Sequence, residues 1–135
     1  MKREKSCGAV IFRQEDGGRY YLVLKSTQGH TTLCKGHVEG NETEHETAVR
    51  EIMEETGLIV DFVDGFREVV TYSPKPGVTK DVVFFLARAR GGDIACQPEE
   101  VADARFLPFG EALEALTHPS DRDTLQKAQT FLEDR

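Results

Sequence analysis

The 135-residue sequence predicts an α+β fold in which helices cover both faces of a mixed β-sheet. Three observations support this fold class. Several short runs of apolar, β-branched and aromatic residues are typical of strands, and one amphipathic helix with defined start and stop signals lies near the middle of the chain. Two further helical patterns lie towards the C-terminus. The sequence contains no repeat and no linker, so residues 1–135 are expected to form one domain.

The first two predicted strands are Ser6–Arg13 and Arg19–Lys25, which are rich in apolar and aromatic residues. The turn-forming stretch Glu15–Gly18 lies between them and predicts a β-hairpin. The next stretch, Ser26–Leu33, is polar. It ends at Cys34–Gly36, which is expected to be the loop that leads into the central helix.

The central helix occupies the second half of the segment Gly36–Leu58. Thr43 and Glu46 form a capping-box pattern, in which the glutamate carboxylate returns to the backbone N–H of the capping residue. Gly57 ends the helix, because glycine adopts the left-handed conformation of the C′ position without penalty.

At about 100° per residue, this helix has one apolar and one acidic arc. The apolar arc is expected to face the core and consists of Ala48, Val49, Ile52 and Met53. The opposite arc carries three carboxylates on neighbouring turns, Glu51, Glu54 and Glu55. Such a triplet is either a solvated acidic surface or a set of oxygen ligands for a hard divalent cation such as Mg²⁺.

Four further strands are predicted after the helix, separated by turns and loops. They are Leu58–Phe62, Phe66–Tyr72, Lys80–Arg90 and the short Arg105–Leu107, with a break at Asp64–Gly65 between the first two. Ser73–Thr79 contains two prolines and a glycine and is predicted to be a loop rather than the interior of a strand. Gly91–Val101 is predicted to be irregular.

Two helices are predicted at the C-terminal end, at Phe109–Leu116 and at Asp121–Leu132. Ser120 is the predicted N-cap of the second helix, with Asp123 at the third position of a capping pattern.

The net charge of −7 argues against a general binder of polymeric nucleic acid, which needs a basic surface. No apolar run reaches the roughly 20 residues of a membrane span, and the first ten residues lack the long apolar segment typical of a signal peptide, so a cytoplasmic protein without membrane contact is expected. The three cysteines have neither metal-ligand nor disulfide spacing and are expected to be reduced. A polyphosphate substrate has the same sign of charge as the chain, and bridging metal ions would resolve this repulsion.

The segment Gly36–Leu58 resembles the Nudix box, G-x5-E-x7-R-E-U-x-E-E-x-G-U, where U is a bulky apolar residue. All seven fixed positions and both U positions match without a gap. At roughly 1 in 15 per fixed position, a chance match is about one in 10⁸ per starting point. The resemblance implies an α/β/α sandwich and a hydrolase that cleaves a nucleoside diphosphate linked to another group.

The resemblance also implies roles for individual residues. Glu51, Glu54 and Glu55 would hold Mg²⁺, with Mn²⁺ as a substitute, and the backbone carbonyl of Lys35 would join these ligands. Arg50 and Glu42 would orient the carboxylates, Arg50 by pairing with Glu46 or Glu54, although plain surface pairing is the alternative. Glu100 corresponds to a loop glutamate that supplies a metal ligand or general base, with Glu99 as its competitor. Cys34 is expected to be a small filler rather than a nucleophile.

Around the box, the stretch Lys35-Gly36-His37-Val38-Glu39 is similar to the K-G-H-V-E of the diadenosine tetraphosphate hydrolase branch. This branch usually has proline before the lysine and Pro-Gly before the box glutamate. Here Cys34 and Gly40-Asn41 stand instead, and a less rigid loop is expected. The resemblance implies further contacts with substrate: Lys35 and His37 with phosphate oxygens, Lys75 and Lys80 with terminal phosphates, and Phe84 or Tyr72 stacked on adenine. The alternative for Phe84 is a core position.

The resulting hypothesis is a Mg²⁺-dependent pyrophosphohydrolase of nucleoside polyphosphates, with diadenosine tetraphosphate cut asymmetrically to ATP and AMP. The alternatives are hydrolases of oxidised dNTPs, of ADP-ribose or sugar nucleotides, and of RNA 5′ ends, and a non-catalytic module that senses a nucleotide. The expected partner is a small nucleotide, and the chain is expected to be a monomer or a homodimer.

Overall fold

A computed structural model of the chain describes residues 2–90, 94–95 and 101–135. In chain order its elements are β1 (Lys2–Glu15), β2 (Gly18–Ser26), β3 (Thr31–Thr32), β4 (Cys34–His37), α1 (Glu44–Thr56), β5 (Val60–Phe62), β6 (Glu68–Lys75), β7 (Val78–Ala89), β8 (Val101–Pro108), α2 (Phe109–Ala115) and α3 (Pro119–Glu133).

The strands of the described residues form one mixed sheet centred on β1 and β7. These two strands run parallel, from the pair Lys2–Val78 to the pair Phe12–Arg88. The order along the sheet is β3-β2-β1-β7-β5, and β4, β6 and β8 pair antiparallel with β1, β7 and β2. β1 and β2 form the predicted hairpin. The mixed sheet of the predicted fold class is therefore confirmed.

Two buried clusters cover the two faces of this sheet. On one face, Ile11 of β1 belongs to a cluster with Ala48 and Ile52 of α1. On the other face, the neighbouring Val10 belongs to a cluster with Leu125 of α3. This alternation follows from the period of two in a strand, and it places one helix layer on each side. The predicted α/β/α sandwich is confirmed.

The predicted ends of the central helix α1 are correct. Thr43 Oγ1 accepts the Glu46 N–H at 3.1 Å, and Glu46 Oε1 accepts the Thr43 N–H at 2.8 Å, which completes the capping box. Gly57 closes the helix with φ of 72° and donates its N–H to the Met53 carbonyl.

The predicted apolar arc of α1 is wrong for half of its members. Ala48 and Ile52 are completely buried, whereas Val49 and Met53 are 49% and 48% exposed. The helix is rotated so that Thr47 and Thr56 join its buried face. This rotation brings Glu51 and Glu55 round to the side that faces the sheet, both partly buried.

Two predicted loops are in fact strands. Cys34–Gly36 belongs to β4 because its backbone pairs with residues 7–9 of β1. Most of Ser73–Thr79 belongs to β6 and β7, which are joined by a turn at Pro76–Gly77. A register shift between Tyr72 and Lys75 accommodates the proline at position 74 in a strand that pairs on one side.

The predicted N-cap of α3 is also wrong. The helix begins at Pro119, with His118 as the N-cap and no side-chain capping bond, because proline suits the first helical position and shifts the start towards the N-terminus. Strand β8 is longer than the predicted Arg105–Leu107. Most of the predicted irregular stretch Gly91–Val101 lies outside the described residues. Over the ranges that the structure covers, none of the helices has the length and apolar character needed to span a membrane.

Candidate active site

The site is built where α1 packs across strand β4. A Cβ atom placed on Gly36 would lie 1.9 Å from the carboxyl carbon and from Oε1 of Glu51, so the Glu51 carboxylate lies directly against the Gly36 backbone. Only glycine allows this approach. The carboxylate is held in a cradle formed by the backbone of β4, and its side chain is only 13% exposed.

The two other predicted glutamates lie beside Glu51. Glu54 is exposed and Glu55 is partly buried, and all three line one cavity of about 400 Å³. The same cavity is lined by Lys35 and Lys80. The structure therefore brings the predicted acidic triplet together with basic side chains that suit phosphate.

Arg50 is the centre of the hydrogen-bond network that surrounds these carboxylates. Its Nε donates to Glu42 Oε2 at 2.7 Å, and its Nη2 donates to Glu42 Oε1 at 3.1 Å and to the His37 carbonyl at 2.8 Å. Its Nη1 lies 2.8 Å from Glu39 and 3.2 Å from Glu54. The predicted pairing with Glu54 is confirmed, and the guanidinium ties α1 to β4 and the segment that follows.

The alternative pairing of Arg50 with Glu46 is not formed. The Glu46 carboxylate is engaged instead in the capping box with Thr43. Glu42 pairs with Arg50, which is the contact expected of an orienting residue. Besides the two bonds from Arg50 it accepts the Glu39 N–H and the Thr47 hydroxyl, and these donors, Arg50 first, lower the pKa of Glu42 from 4.5 to about 2.

The donor atoms fit a hard divalent cation. The carboxylates of Glu51, Glu54 and Glu55 offer oxygen ligands, and the Gly36 cradle fixes one of them. The Val38 N–H bonds to the Lys5 carbonyl, so in the alternating antiparallel pattern Lys35 is in a non-hydrogen-bonded pair with Gly8. Its carbonyl therefore points away from β1 and is available as the expected backbone ligand.

The carboxylates of Glu51, Glu54 and Glu55 do not converge on one position in this structure. Across the part of the chain that the structure describes, no three aspartate, glutamate, histidine or cysteine side chains converge closely enough to hold an ion. Arg50 Nη1 instead lies 3.2 Å from a Glu54 oxygen and 3.7 Å from a Glu51 oxygen. Glu54, being exposed, has the freedom to turn towards Glu51.

Two of the predicted phosphate contacts lie on the opposite sheet face from Glu51. Lys35 and His37 of β4 alternate with Gly36 and so project from the other face of the strand. Lys80 of β7 joins them and is 8% exposed. Burial and then the Lys35 charge lower the pKa of Lys80, and burial followed by the Lys80 charge lowers the pKa of His37. Positive charge is thus concentrated beside the acidic triplet.

A second cavity, of about 390 Å³, shares Lys35 as a lining residue with the first. Tyr72 lies in its wall and is 43% exposed, which suits the predicted stacking on a base. Phe84 also borders this cavity but is only 1% exposed, so it is a core residue and the prediction that it stacks on adenine is not supported by its position. Phe85 is buried on the other face, against His45.

Sequence reasoning missed Asp121 and Ser6. Asp121 lies in the wall of the second cavity, is 5% exposed, and accepts the Leu33 N–H at 3.4 Å. Burial raises its pKa. Ser6 is fully buried and borders the first cavity. A signal for Asp121 was available in His118–Pro119, which moves the helix start upstream and places Asp121 in its first turn.

Three other expectations have different outcomes. Lys75 is exposed at the end of β6 and borders neither of these two cavities. Glu100 and its competitor Glu99 lie outside the described residues. Cys34 is buried next to the site, and burial raises the pKa of its thiol well above the usual value, which agrees with a filler and not a nucleophile.

The chain is similar to known proteins in sequence and in fold. A family model of the NUDIX domain matches residues 2–128. The asymmetrical bis(5′-nucleosyl)-tetraphosphatase of Rattus norvegicus is 32% identical, over 95% of this chain and 95% of that protein. The 8-oxo-(d)GTP phosphatase of Mycolicibacterium smegmatis is 34% identical, over 91% of this chain and 40% of that protein. The crystal structure of a C. elegans Ap4A hydrolase binary complex superposes with a TM-score of 0.89 at 25% identity, over 98% of this chain and 99% of that chain.

Proposed function

The chain belongs to the Nudix family and is a hydrolase of pyrophosphate bonds, and from this premise we propose that its substrate is diadenosine tetraphosphate, cleaved asymmetrically to ATP and AMP. Nudix hydrolases generally use divalent metal ions. The proposed ion is Mg²⁺, with Mn²⁺ as a substitute, held by Glu51, Glu54, Glu55 and the Lys35 carbonyl. Glu100 remains a proposed additional ligand or base.

The observation that carries this proposal is that Lys35 lines both cavities. One cavity contains the acidic triplet, and the other is mainly apolar and presents Tyr72. A nucleoside in the second cavity would extend its phosphate chain past Lys35 and Lys80 into the first. A long polyphosphate gains more from two neighbouring ammonium groups than a short one does.

The residues of the site would have separate roles in metal binding and in phosphate binding. When bound, divalent cations neutralise phosphate charge and lower the pKa of water. Gly36 holds the Glu51 carboxylate at a fixed position, so this ligand needs little reorganisation during the reaction. Arg50, itself bound by Glu42, keeps Glu54 close to Glu51. Lys35, His37 and Lys80 would bind phosphate oxygens.

Tyr72 would stack on one adenine. Because stacking uses the face of the ring and not its edge, it discriminates weakly between bases. Discrimination would come from the length of the phosphate chain. The relatives named above as tetraphosphatase and Ap4A hydrolase support this substrate.

A hydrolase of oxidised purine dNTPs is the second candidate. Asp121 is a buried carboxyl in the wall of the apolar cavity, where it could accept a hydrogen bond from the N–H edge of a purine. A relative named 8-oxo-(d)GTP phosphatase agrees with this candidate. Here an edge contact would supply specificity that stacking does not.

A substrate panel with Mg²⁺ separates the candidates. We expect kcat/KM for diadenosine tetraphosphate to exceed that for ADP-ribose, capped RNA and 8-oxo-dGTP by at least about tenfold, or roughly 1.4 kcal/mol in transition-state binding. Chromatography should show ATP and AMP and not two ADP. Equal or faster turnover of 8-oxo-dGTP, reduced in the Asp121→Asn variant, would replace the first candidate by the second.

The role of Tyr72 has its own test. Tyr72→Ala should raise KM for diadenosine tetraphosphate more than it lowers kcat, since stacking stabilises ground and transition states alike. Val69→Ala is the matched control, because Val69 is 44% exposed on the same strand but on its other face. An unchanged KM in Tyr72→Ala would show that the base does not bind in this cavity.

A further inference from the structure

Ser6 is a buried hydroxyl in the wall of the first cavity of the site. The residue is fully buried, and among the described residues its Oγ atom has no hydrogen-bond partner. Burying a hydroxyl without a hydrogen bond is unfavourable, so such an atom in a cavity wall calls for a partner that binds there. Ser6 lines the cavity that also contains the acidic triplet.

The pairing of the strands determines what shares the face of Ser6. On β1, Ser6 is directly opposite His37 of β4 and beside Val82 of β7. Residues opposite one another project from the same face, and so does Lys80, two positions before Val82. Lys35 alternates with Gly36 in the same way as His37. Ser6 therefore lies on the floor of a basic surface made by Lys35, His37 and Lys80.

This surface contains one buried ammonium group, that of Lys80. Lys80 is 8% exposed, yet within the described ranges it forms no salt bridge shorter than 4.0 Å. The charges that act on it are Lys35, of the same sign, and Glu4, which lies 3.6 Å from Lys2. Two ammonium groups and a buried hydroxyl together are donors for the oxygens of an oxyanion.

We infer that Ser6 is a phosphate-binding residue, whose hydroxyl donates a hydrogen bond to a non-bridging oxygen of the substrate's polyphosphate chain beside Lys35 and Lys80. The inference rests on the proposed function in that the substrate carries such a chain, but not on which nucleotide it is. His37 is exposed and Lys80 has a long flexible stem, so a small movement of either side chain gives a phosphate oxygen access to Oγ.

The test is the affinity for inorganic tripolyphosphate, measured by calorimetry in Mg²⁺ buffer, together with Tm. Ser6→Ala should weaken tripolyphosphate binding by about tenfold, as expected for loss of a hydrogen bond to a charged group. Its Tm should be unchanged or higher, because an unsatisfied buried hydroxyl has been removed. Ser6→Cys keeps the volume and a weak donor, and should bind with intermediate affinity.

Thr124→Val is the matched control. Thr124 is also a buried hydroxyl, but its Oγ1 donates to the Ser120 carbonyl at 3.0 Å, and Thr124 lines neither cavity. This variant should lose stability and keep the tripolyphosphate affinity of the wild type. Adenosine is the control ligand, and its affinity should be the same for Ser6→Ala and the wild type.

The outcomes separate this inference from the proposed function. Wild-type affinity for tripolyphosphate in both Ser6 variants would overturn the inference, whatever the substrate. The protein could instead prefer a nucleoside triphosphate to diadenosine tetraphosphate, while Ser6→Ala still binds tripolyphosphate more weakly than the wild type. In that case the proposed substrate is wrong and the inference about Ser6 stands.

Discussion

The Glu51 carboxylate rests on the Cα of Gly36, so closely that a Cβ at position 36 would lie 1.9 Å from two of its atoms. Gly36, the first glycine of the box, and Glu51, the first glutamate of the acidic triplet, are therefore two halves of one contact. Strand β4 supplies the flat backbone surface, and α1 supplies the charge. Neither element alone would hold the carboxylate where the proposed metal ion needs it.

The first prediction concerns this contact. Gly36→Ala should displace Glu51 and lower kcat by about 10²-fold or more, because the metal-held charge stabilisation is lost. The affinity for Mn²⁺, followed by electron paramagnetic resonance, should fall in parallel. Gly110→Ala is the control, since a Cβ there meets nothing within 4 Å and both properties should be unchanged. Normal Mn²⁺ affinity in Gly36→Ala would argue against Glu51 as a ligand.

The second prediction concerns the other two glutamates. Glu54→Gln and Glu55→Gln should each lower kcat by about 10²-fold or more at saturating Mg²⁺. Both variants should stay folded, because Glu54 is exposed and Glu55 is only partly buried. Glu114→Gln, an exposed glutamate on α2, should behave as wild type. Near-normal turnover of either site variant would exclude that residue from the metal ligands.

The third prediction tests the rotation of α1. Ile52→Ala removes a completely buried side chain and should lower the free energy of unfolding by about 2–5 kcal/mol. Val49→Ala and Met53→Ala should change it by less than about 0.5 kcal/mol, because these side chains are half exposed. Urea unfolding followed by circular dichroism measures all three. Equal losses at positions 49 and 52 would restore the apolar arc expected from the sequence.

The fourth prediction is the response to acid. The pKa values of Glu42 and Glu44 are lowered from 4.5 to about 2, chiefly by hydrogen bonds from Arg50 and from Arg67. Carboxylates with depressed pKa values stabilise the fold above their unfolded value, and this contribution is lost as the pH falls from about 4.5 to 2. The urea midpoint should therefore fall steeply over this range.

Glu44→Gln isolates one part of the acid response. The variant should have a lower urea midpoint than wild type at pH 7, and a smaller further fall between pH 4.5 and 2. Glu111→Gln, an exposed residue in the first turn of α2, should follow the wild-type curve. A Glu44→Gln curve parallel to that of the wild type would show that the Arg67 contact contributes no pH dependence.

Local signals allowed much of the fold and the site to be predicted. The capping box of Thr43 and Glu46, the end at Gly57 and the pairing of Arg50 with Glu54 depend on residues a few positions apart. The strands of the first hairpin follow from apolar runs on either side of a turn. Such features depend only on residues that are close together in the sequence, so the sequence alone predicts them.

The errors arose where distant segments meet. Val49 and Met53 were expected in the core because periodicity shows which residues share a face of a helix but not which face packs on the sheet. The contact between Glu51 and Gly36 rotates the helix so that these two side chains are exposed. Ser6 and Asp121 enter the site only through the pairing of β1 with β4 and the docking of α3. Phe84 was a candidate for stacking because alternation does not say which face is covered by a helix.

The parallel ladder between β1 and β7 has a consequence for how the chain folds. Lys2 pairs with Val78, and the pairing continues to Phe12 and Arg88, so the centre of the sheet joins the first described strand to one that lies 76 positions later in the chain. On the ribosome, β1 cannot find this neighbour until residue 88 has left the exit tunnel. Such high contact order favours slow folding and leaves the apolar β1 exposed during synthesis. Conditions that delay translation between residues 15 and 78 therefore lengthen the period in which the chain is prone to aggregate.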